Sequence, residues 1–315
     1  MVSIFPGRPG DTSEVTPLVG TSSTRWAWSR RALAAGVACV GLVSAGSLAV
    51  FIRANADLNL SEASHIWFMH IPKTSTKFML EVVFAMCPDL TRPDLTKGDC
   101  LYHPDSCVFR DEEFKETCYP KFAHMEFGHS PPDPEAYASD ASFVAMFREP
   151  ASRMASGFVH AFHDCPGMTK KYGCSEKSFD MCPAVADVTD EKVREYFDCV
   201  KGCQARMVLG RGCPNDGHGP ADGHKVEKLI EERYSYVGIT ERFEQSLKDF
   251  HRLMGATAEL PSEAFAVTNP QRGGDLGEDI EGKVVAALQR LGLTDWEDEA
   301  TYAAALKKND ELHAL

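Results

Sequence analysis

The chain has 315 residues, of which 43% are hydrophobic, and a formal net charge of −13. This length and apolar content allow one large domain or two small ones and exclude a disordered protein. The acidic balance argues against a general nucleic-acid binder, which needs clustered cations to neutralise phosphates, but it leaves room for a local basic pocket.

The N-terminal part of the chain predicts a membrane anchor. Residues 1–31 are typical of a cytosolic tail, residues 32–52 form an uncharged run long enough to cross a bilayer as a helix, and residues 53–64 form a stem. Arginines are concentrated before the run, which places the N-terminus in the cytosol and the body in the lumen. A cleaved signal peptide is the main alternative, and a plastid-type targeting sequence is another.

The cysteines fit delivery to an oxidising compartment. Of the 11 cysteines, Cys39 lies in the apolar run and the others, an even number, lie in the body. Disulfides are therefore expected, whereas zinc is the rival interpretation and lacks the paired C-x-x-C spacing. A Cys-rich insertion with a helical interior is expected at about residues 165–213. The sequon at Asn59 fits a lumenal glycoprotein.

Strands and helices alternate along the body, residues 65–315. The predicted strands are residues 65–71, 142–147 and 234–239. Each is followed by a predicted helix, at residues 78–86, 151–163 and 241–254 respectively. Two more helices are predicted within residues 280–315. The repeated order predicts an α/β fold with a central parallel sheet flanked by helices.

The loop after the first strand carries two cations and three hydroxyls, namely Lys73, Thr74, Ser75, Thr76 and Lys77. In a parallel α/β unit such a loop and the next helix N-terminus present unpaired N–H groups that suit an anion. The segment is therefore a candidate cradle for phosphate or sulfate, and a polar turn that only caps the helix is the alternative. It is not a nucleotide-triphosphate P-loop, because G-x-x-x-x-G-K-[ST] is absent.

A second candidate anion site follows the second strand. Arg148 at the strand end and Ser156 in the next helix are spaced so that both can face one oxyanion. The alternatives are a surface ion pair between Arg148 and Glu149 or another carboxylate, and an ordinary helix position for Ser156.

Several segments together resemble Golgi carbohydrate sulfotransferases, such as the heparan sulfate 2-O and 6-O enzymes. FMHIPKTSTKF is similar to the family's phosphosulfate-binding loop, FVAMFREPASRMASGF to its 3'-phosphate segment, and YVGITERFEQSL and CVKGCQARMVLG to two further stretches. The resemblance spans roughly residues 65–255. It implies the P-loop-like sulfotransferase fold.

The resemblance also implies a reaction. The enzyme would transfer the sulfuryl group of 3'-phosphoadenosine 5'-phosphosulfate (PAPS) to a hydroxyl, expected to belong to a carbohydrate, without a metal. Lys73 would stabilise the leaving oxygen, residues 73–77 would bind the phosphosulfate, and Arg148 with Ser156 would bind the 3'-phosphate. The chain departs from the family at Ser75 and Thr76, where glycine is common, and at Lys77. A positive φ at Ser75 would strain the loop.

The segment between the two anion motifs supplies a candidate base. His129, in the Gly-His-Ser-Pro context, best matches the family's base, His124 is the second candidate and Glu126 the third. The alternative for each histidine is a structural, hydrogen-bonded role. His218 and His224 are expected on a solvated loop.

The sequence thus predicts a single-pass type II protein of the Golgi membrane with a lumenal sulfotransferase domain. A kinase-like phosphotransferase is disfavoured by the absent Gly-Lys-Ser/Thr loop. A catalytically inactive, disulfide-stapled binding module of the same fold is the other alternative. The acidic body favours a neutral or weakly charged acceptor over a highly sulfated one.

Overall fold

The computed structural model describes residues 66–87, 89–90, 114–125, 129–133, 135–174, 182–214, 217, 219–255, 260 and 275–315. All of them lie in one compact unit, Ala54–Leu315. The predicted tail, anchor and stem, with the Asn59 sequon, lie outside the described residues. Within the described ranges, every helix is too short or too polar to span a membrane.

The described elements alternate along the chain. The strands are β1 (Ile66–Met69), β2 (Phe122–Met125), β3 (Ser142–Phe147) and β4 (Tyr234–Ile239). The helices are α1 (Thr76–Met86), α2 (Pro150–Val159), α3 (Pro166–Lys171), α4 (Pro183–Ala186), α5 (Asp190–Val200), α6 (Cys203–Val208), α7 (Gly223–Arg233), α8 (Phe243–Leu253), α9 (Asp275–Arg290) and α10 (Trp296–His313). Short helical turns precede β2, β3 and α8.

The four strands form one parallel sheet in the order β2-β1-β3-β4. The predicted α/β class is therefore confirmed. Strands β1, β3 and β4 are nearly continuous apolar runs, as expected for a sheet covered by helices. The prediction missed β2, because its four residues FAHM are too short and too mixed to stand out as a strand.

The strand order reverses direction at β1. The chain passes from β1 to β2 on one side and then crosses to β3 on the other side. In open parallel sheets, ligands bind outside the carboxyl ends of the strands at such a switch point. The loops that follow β1 and β3 are therefore the expected place for a binding site.

Two apolar clusters stabilise the fold. The larger one surrounds the sheet, where the ring of Phe78 on α1 stacks on Tyr236 at 5.6 Å and meets the edge of Phe250 on α8 at 5.4 Å. The smaller cluster joins α2 and α9 to the helices of the Cys-rich insertion. The insertion is thus a helical layer with its own core, which packs on the helix that follows β3.

Disulfides connect the body as expected. The described residues contain four bridges, Cys87–Cys118, Cys165–Cys199, Cys174–Cys182 and Cys203–Cys213. Three of them lie inside the predicted insertion, where they restrict the unfolded chain and stabilise short helices. Cys100 and Cys107 lie outside the described residues.

Two predictions of local structure were wrong. The helix predicted over 151–163 ends at Val159, because Ala161, Phe162 and Asp164 adopt left-handed φ values of 57°, 58° and 59°. His224 is exposed as predicted, but it lies in the first turn of α7 rather than in a loop. The N-cap Asp222, whose carboxylate accepts a hydrogen bond from the N–H of Lys225 at 3.2 Å, starts that helix.

Two buried carboxylates attach α10 to the insertion. Asp295, the N-cap of α10, accepts two hydrogen bonds from the N–H of Gly202, at 2.8 and 3.0 Å. Asp298 accepts one from the N–H of Ala205 at 3.0 Å, and its second oxygen lies 3.4 Å from the Arg153 guanidinium. The C-terminal helix therefore fixes the start of α6.

Asp295 gives the fold a pH dependence. Burial, reinforced by the charge of Asp298, raises the pKa of Asp295 to about 7. A carboxyl whose folded pKa lies above its unfolded value of about 3.9 stabilises the fold at low pH, and this stabilisation is lost as pH rises towards 7. We expect the unfolding free energy to fall through this group as pH rises from 4 towards 7, by at most about 1.4 kcal/mol per pH unit, since one proton is involved.

Urea unfolding at pH 5 and pH 8 measures this contribution. The Asp295→Asn variant should lose much less unfolding free energy over the same range than the unmodified protein. Asp187→Asn, at a side chain that is 75% exposed, is the control and should leave the difference unchanged. Equal pH dependence in Asp295→Asn and the unmodified protein would contradict the assignment.

Candidate functional site

The loop after β1 is folded by its own hydroxyl groups. Thr74, which is 1% exposed, donates its hydroxyl proton to the Ile71 carbonyl at 2.8 Å. Ser75 is the N-cap of α1, and its oxygen accepts a hydrogen bond from the N–H of Phe78 at 3.1 Å. The left-handed residue is Lys73, at φ 65°, whereas Ser75 at φ 159° is close to extended. The strain expected at Ser75 therefore falls on Lys73.

Groups from two other strand ends hold this loop. The Nη1 of Arg148, which follows β3, donates to the Lys73 carbonyl at 3.2 Å. The hydroxyl of Thr240, which follows β4, donates to the Thr74 carbonyl. In both hydrogen bonds a backbone carbonyl of the loop is the acceptor. The two bonds therefore fix the loop at the switch point of the sheet.

The backbone of Arg148 is positioned by Gln204 in α6. The N–H of Arg148 donates to the Gln204 side-chain oxygen at 3.0 Å, and the Gln204 amide donates to the Arg148 carbonyl at 2.9 Å. Gln204 is fully buried. This pair gives the CVKGCQARMVLG segment a physical role, because it fixes where the arginine leaves the strand.

The guanidinium of Arg148 faces a carboxylate on α9. Its Nη2 lies 3.9 Å from Glu281, and both side chains are largely buried. Glu149, the partner considered from the sequence, instead caps α2 by accepting hydrogen bonds from the N–H groups of Ala151 at 3.0 Å and Ser152 at 2.6 Å. Arg148 therefore lies at the switch point with a carboxylate beside its guanidinium.

The candidate base His129 lies in a cluster of histidines. Its Nδ1 is 2.8 Å from an oxygen of Asp164. Its ring centroid is 5.0 Å from that of His70, the first residue after β1, and 4.8 Å from that of His163. Three segments distant in the sequence thus meet at this cluster, and one of them is the loop that follows β1.

The segment that carries His163 and Asp164 is held in an unusual backbone conformation. Its left-handed residues each cost about 1–3 kcal/mol and persist only where the surroundings enforce them. Here the Tyr196 hydroxyl donates to the His163 carbonyl at 2.9 Å, and the Thr169 hydroxyl donates to the Ala161 carbonyl at 3.0 Å. The fold of the insertion therefore enforces the position of this pair.

Gly157 allows the close approach of the insertion to α2. A Cβ at this position would lie 2.1 Å from the Tyr196 hydroxyl oxygen, so any side chain would displace the tyrosine. The same Cβ would lie 3.7 Å from Cγ of Lys73. The Lys73 side chain therefore runs beside α2, between the loop and the histidine cluster.

Burial and charge set the protonation states in the cluster. Burial lowers the pKa of His163 to about 4; Asp164 opposes this shift, whereas the charges of Lys73 and His129 add to it. Burial alone would raise the pKa of Asp164, but the hydrogen bond from His129 and the nearby His163 and Arg153 lower it below its usual value. At neutral pH the cluster therefore holds a neutral His163 imidazole and an ionised carboxylate.

The remaining predicted residues are placed less centrally. Thr76 is exposed at the start of α1, Lys77 is half-buried, and Ser156 is 2% exposed within α2. His124 lies in β2, but its side chain and Glu126 lie outside the described residues. The roles assigned to these residues stay predictions.

Sequence reasoning missed His70, His163, Asp164 and Glu281 as site residues. The run HAFHDC, residues 160–165, was a possible signal, because two histidines and a carboxylate fall within five positions. The sequence pattern predicts that the helix continues through this run. In the structure the chain turns there instead, and the turn brings His163 and Asp164 to His129. Glu281 carries no local signal, since α9 reaches Arg148 only through the tertiary fold.

Comparison with protein-family models, curated proteins and solved structures finds no match to this chain. The chain's own residues indicate what the site can do. At one edge of the sheet they combine a cation-bearing loop, an arginine at the switch point and a histidine hydrogen-bonded to a carboxylate. This combination can bind an anionic group and accept a proton beside it.

Proposed function

We propose that the protein is a sulfotransferase that moves the sulfuryl group of PAPS to the hydroxyl of an acceptor, expected to be a carbohydrate. The observation that carries the proposal is the contact between His129 and the loop after β1 through His70, with ring centroids 5.0 Å apart. Sulfuryl transfer needs a base next to an anion site. Two motifs that the sequence suggested separately therefore lie side by side.

The proposed mechanism assigns one role to each group. Asp164 accepts a hydrogen bond from the Nδ1–H of His129, which leaves the lone pair on Nε2 to take the proton of the acceptor hydroxyl. The acceptor oxygen bonds to sulfur while the bond from sulfur to the bridging oxygen breaks. Lys73 stabilises the negative charge on the departing 5'-phosphate, and the leaving molecule is adenosine 3',5'-bisphosphate. Arg148 binds the 3'-phosphate.

Calorimetry with PAPS, followed by transfer of labelled sulfate to an array of glycans, tyrosine peptides and small alcohols, tests the proposal. A sulfotransferase should bind the donor and label at least one hydroxyl class. Donor binding without transfer to any member would favour the inactive binding module. Absence of donor binding would exclude both readings.

The carboxylate of Glu281 should weaken donor binding. A 3'-phosphate on Arg148 must share the guanidinium with Glu281, 3.9 Å away. Glu281→Gln removes the competing charge and should raise donor affinity by about 3- to 10-fold, equivalent to about 0.7–1.4 kcal/mol.

Arg148→Ala is the matched variant for Glu281→Gln. It should lower donor affinity by roughly ten- to a hundredfold, since a charge-assisted hydrogen bond contributes about 1.5–3 kcal/mol. In the Arg148→Ala background, Glu281→Gln should no longer improve binding. An equal gain in both backgrounds would place the phosphate away from Arg148.

The location of the protein is part of the proposal. The four disulfides support folding in a secretory compartment. We place the protein in the Golgi membrane with residues 32–52 as a single-pass anchor and the body in the lumen. In sealed microsomes the body should resist added protease until detergent is present, and carbonate should not extract the chain. Digestion of the body without detergent would instead indicate the opposite topology, with the body in the cytosol.

A further inference from the structure

The histidine cluster contains more ligand atoms than a base and its partner require. One nitrogen from His129, one from His163 and one oxygen from Asp164 all lie within 4.8 Å of one another. The hydrogen bond to His129 uses one oxygen of Asp164. His163 has no place in the proposed sulfuryl transfer, although the fold holds it against the same carboxylate.

The hydrogen bond between His129 and Asp164 does not account for the second oxygen of Asp164. This oxygen is buried and has no hydrogen-bond partner among the described residues. Its neighbour is Nε2 of His163 at 3.7 Å, which is too far for a hydrogen bond. A buried carboxylate oxygen without a partner is costly, so this gap suits an additional positive group.

The spacing of these atoms suits a metal ion. Zinc binds imidazole nitrogen at about 2.0–2.1 Å and carboxylate oxygen at about 2.0–2.2 Å, so tetrahedral ligand atoms lie about 3.4 Å apart. The 3.7 Å gap between His163 and Asp164 is close to that value. The left-handed backbone at Asp164 and the Tyr196 hydrogen bond to the His163 carbonyl hold the two ligands in this arrangement before any ion arrives.

We propose that His129, His163 and Asp164 form a binding site for a divalent transition metal, with Zn²⁺ as the best fit. Two imidazoles and one carboxylate leave a fourth position open to water, as in three-ligand zinc sites. Lys73, close enough to His163 to interact with it electrostatically, opposes the ion's charge. The affinity is therefore expected to be weaker than that of structural zinc sites.

Zinc at this site switches off the proposed base. Coordination through Nδ1 of His129 displaces the proton of that nitrogen to Nε2, so Nε2 no longer has a lone pair for the acceptor proton. Zn²⁺ is thus expected to inhibit sulfuryl transfer without preventing donor binding. This consequence rests on the proposed function, whereas metal binding itself does not.

Titration of the full-length, metal-free chain with ZnCl₂ tests the site in the absence of donor and acceptor. Calorimetry should give one saturable Zn²⁺ per chain, and CoCl₂ should give the visible absorption of a low-coordinate site that Zn²⁺ then abolishes. His163→Gln and His129→Gln should each weaken Zn²⁺ binding by at least about 10-fold. His224→Ala, which removes an exposed histidine on α7, should leave affinity unchanged.

The use of two separate ligand variants keeps the test decisive if one of them fails to fold, which circular dichroism would reveal. Absence of saturable Zn²⁺ binding would overturn the proposal. So would an affinity that is unchanged in a folded His163→Gln or His129→Gln variant, or one that falls only in His224→Ala. Because no donor is present, these results are independent of whether the protein transfers sulfate.

Discussion

Replacing His129 with alanine is expected to lower turnover by about 10² to 10⁴ while donor affinity stays nearly unchanged. The reason is that His129 is the proposed proton acceptor for the acceptor hydroxyl, whereas Lys73 and Arg148 bind the donor. Donor affinity from calorimetry and initial rates with an active acceptor, both in zinc-free buffer, separate these two contributions.

His124→Ala is the control for this prediction, since it removes the same type of side chain from the same segment. It should retain turnover. If His124→Ala loses turnover and His129→Ala keeps it, the base is His124. If neither variant loses turnover, the cluster beside the loop is structural and the mechanism proposed above is wrong.

Replacing Arg153 with methionine is expected to lower the unfolding free energy by about 3–5 kcal/mol. Arg153 is 1% exposed, lies 3.4 Å from the buried carboxylate of Asp298, and donates to the Val200 carbonyl at 3.1 Å. Methionine fills a similar volume but leaves the Asp298 charge buried without its partner. Urea unfolding with the disulfides intact measures the loss.

An exposed pair of the same chemistry provides the control. Arg290 and Asp190 form an ion pair in which both side chains are more than half exposed. Arg290→Met should therefore cost less than about 1 kcal/mol. Adding Asp298→Asn to Arg153→Met should recover part of the loss, because the unpaired charge is then removed. Similar losses in the two arginine variants would show that burial does not determine the energy of the pair.

The sequence predicted the parts of the fold that are encoded locally. Strands β1, β3 and β4 are nearly continuous apolar runs followed by polar loops, and such patterns indicate buried parallel strands without any tertiary information. The end of α2 was beyond the same reasoning. Alanine and phenylalanine at positions 161 and 162 have no preference for left-handed backbone, and tertiary contacts such as the Thr169 hydrogen bond to the Ala161 carbonyl help to keep them there.

The candidate site shows the same division. The loop and Arg148 stand out in the sequence because cations and hydroxyls follow buried strands. The partners that define their chemistry, Asp164 for His129, Gln204 for Arg148 and Glu281 for Arg148, are far away in the chain. Sequence spacing carries no information about such pairs, because tertiary packing alone determines them.

The attachment of α10 to the insertion has a consequence for substitutions far from the loop. Gln204 positions Arg148, and the start of the helix that carries Gln204 is held by Asp295 and Asp298. A substitution that removes either aspartate therefore also weakens the placement of Gln204, and with it that of Arg148. The backbone of the switch-point arginine thus depends on α10, a helix that contributes no side chain to the proposed anion site.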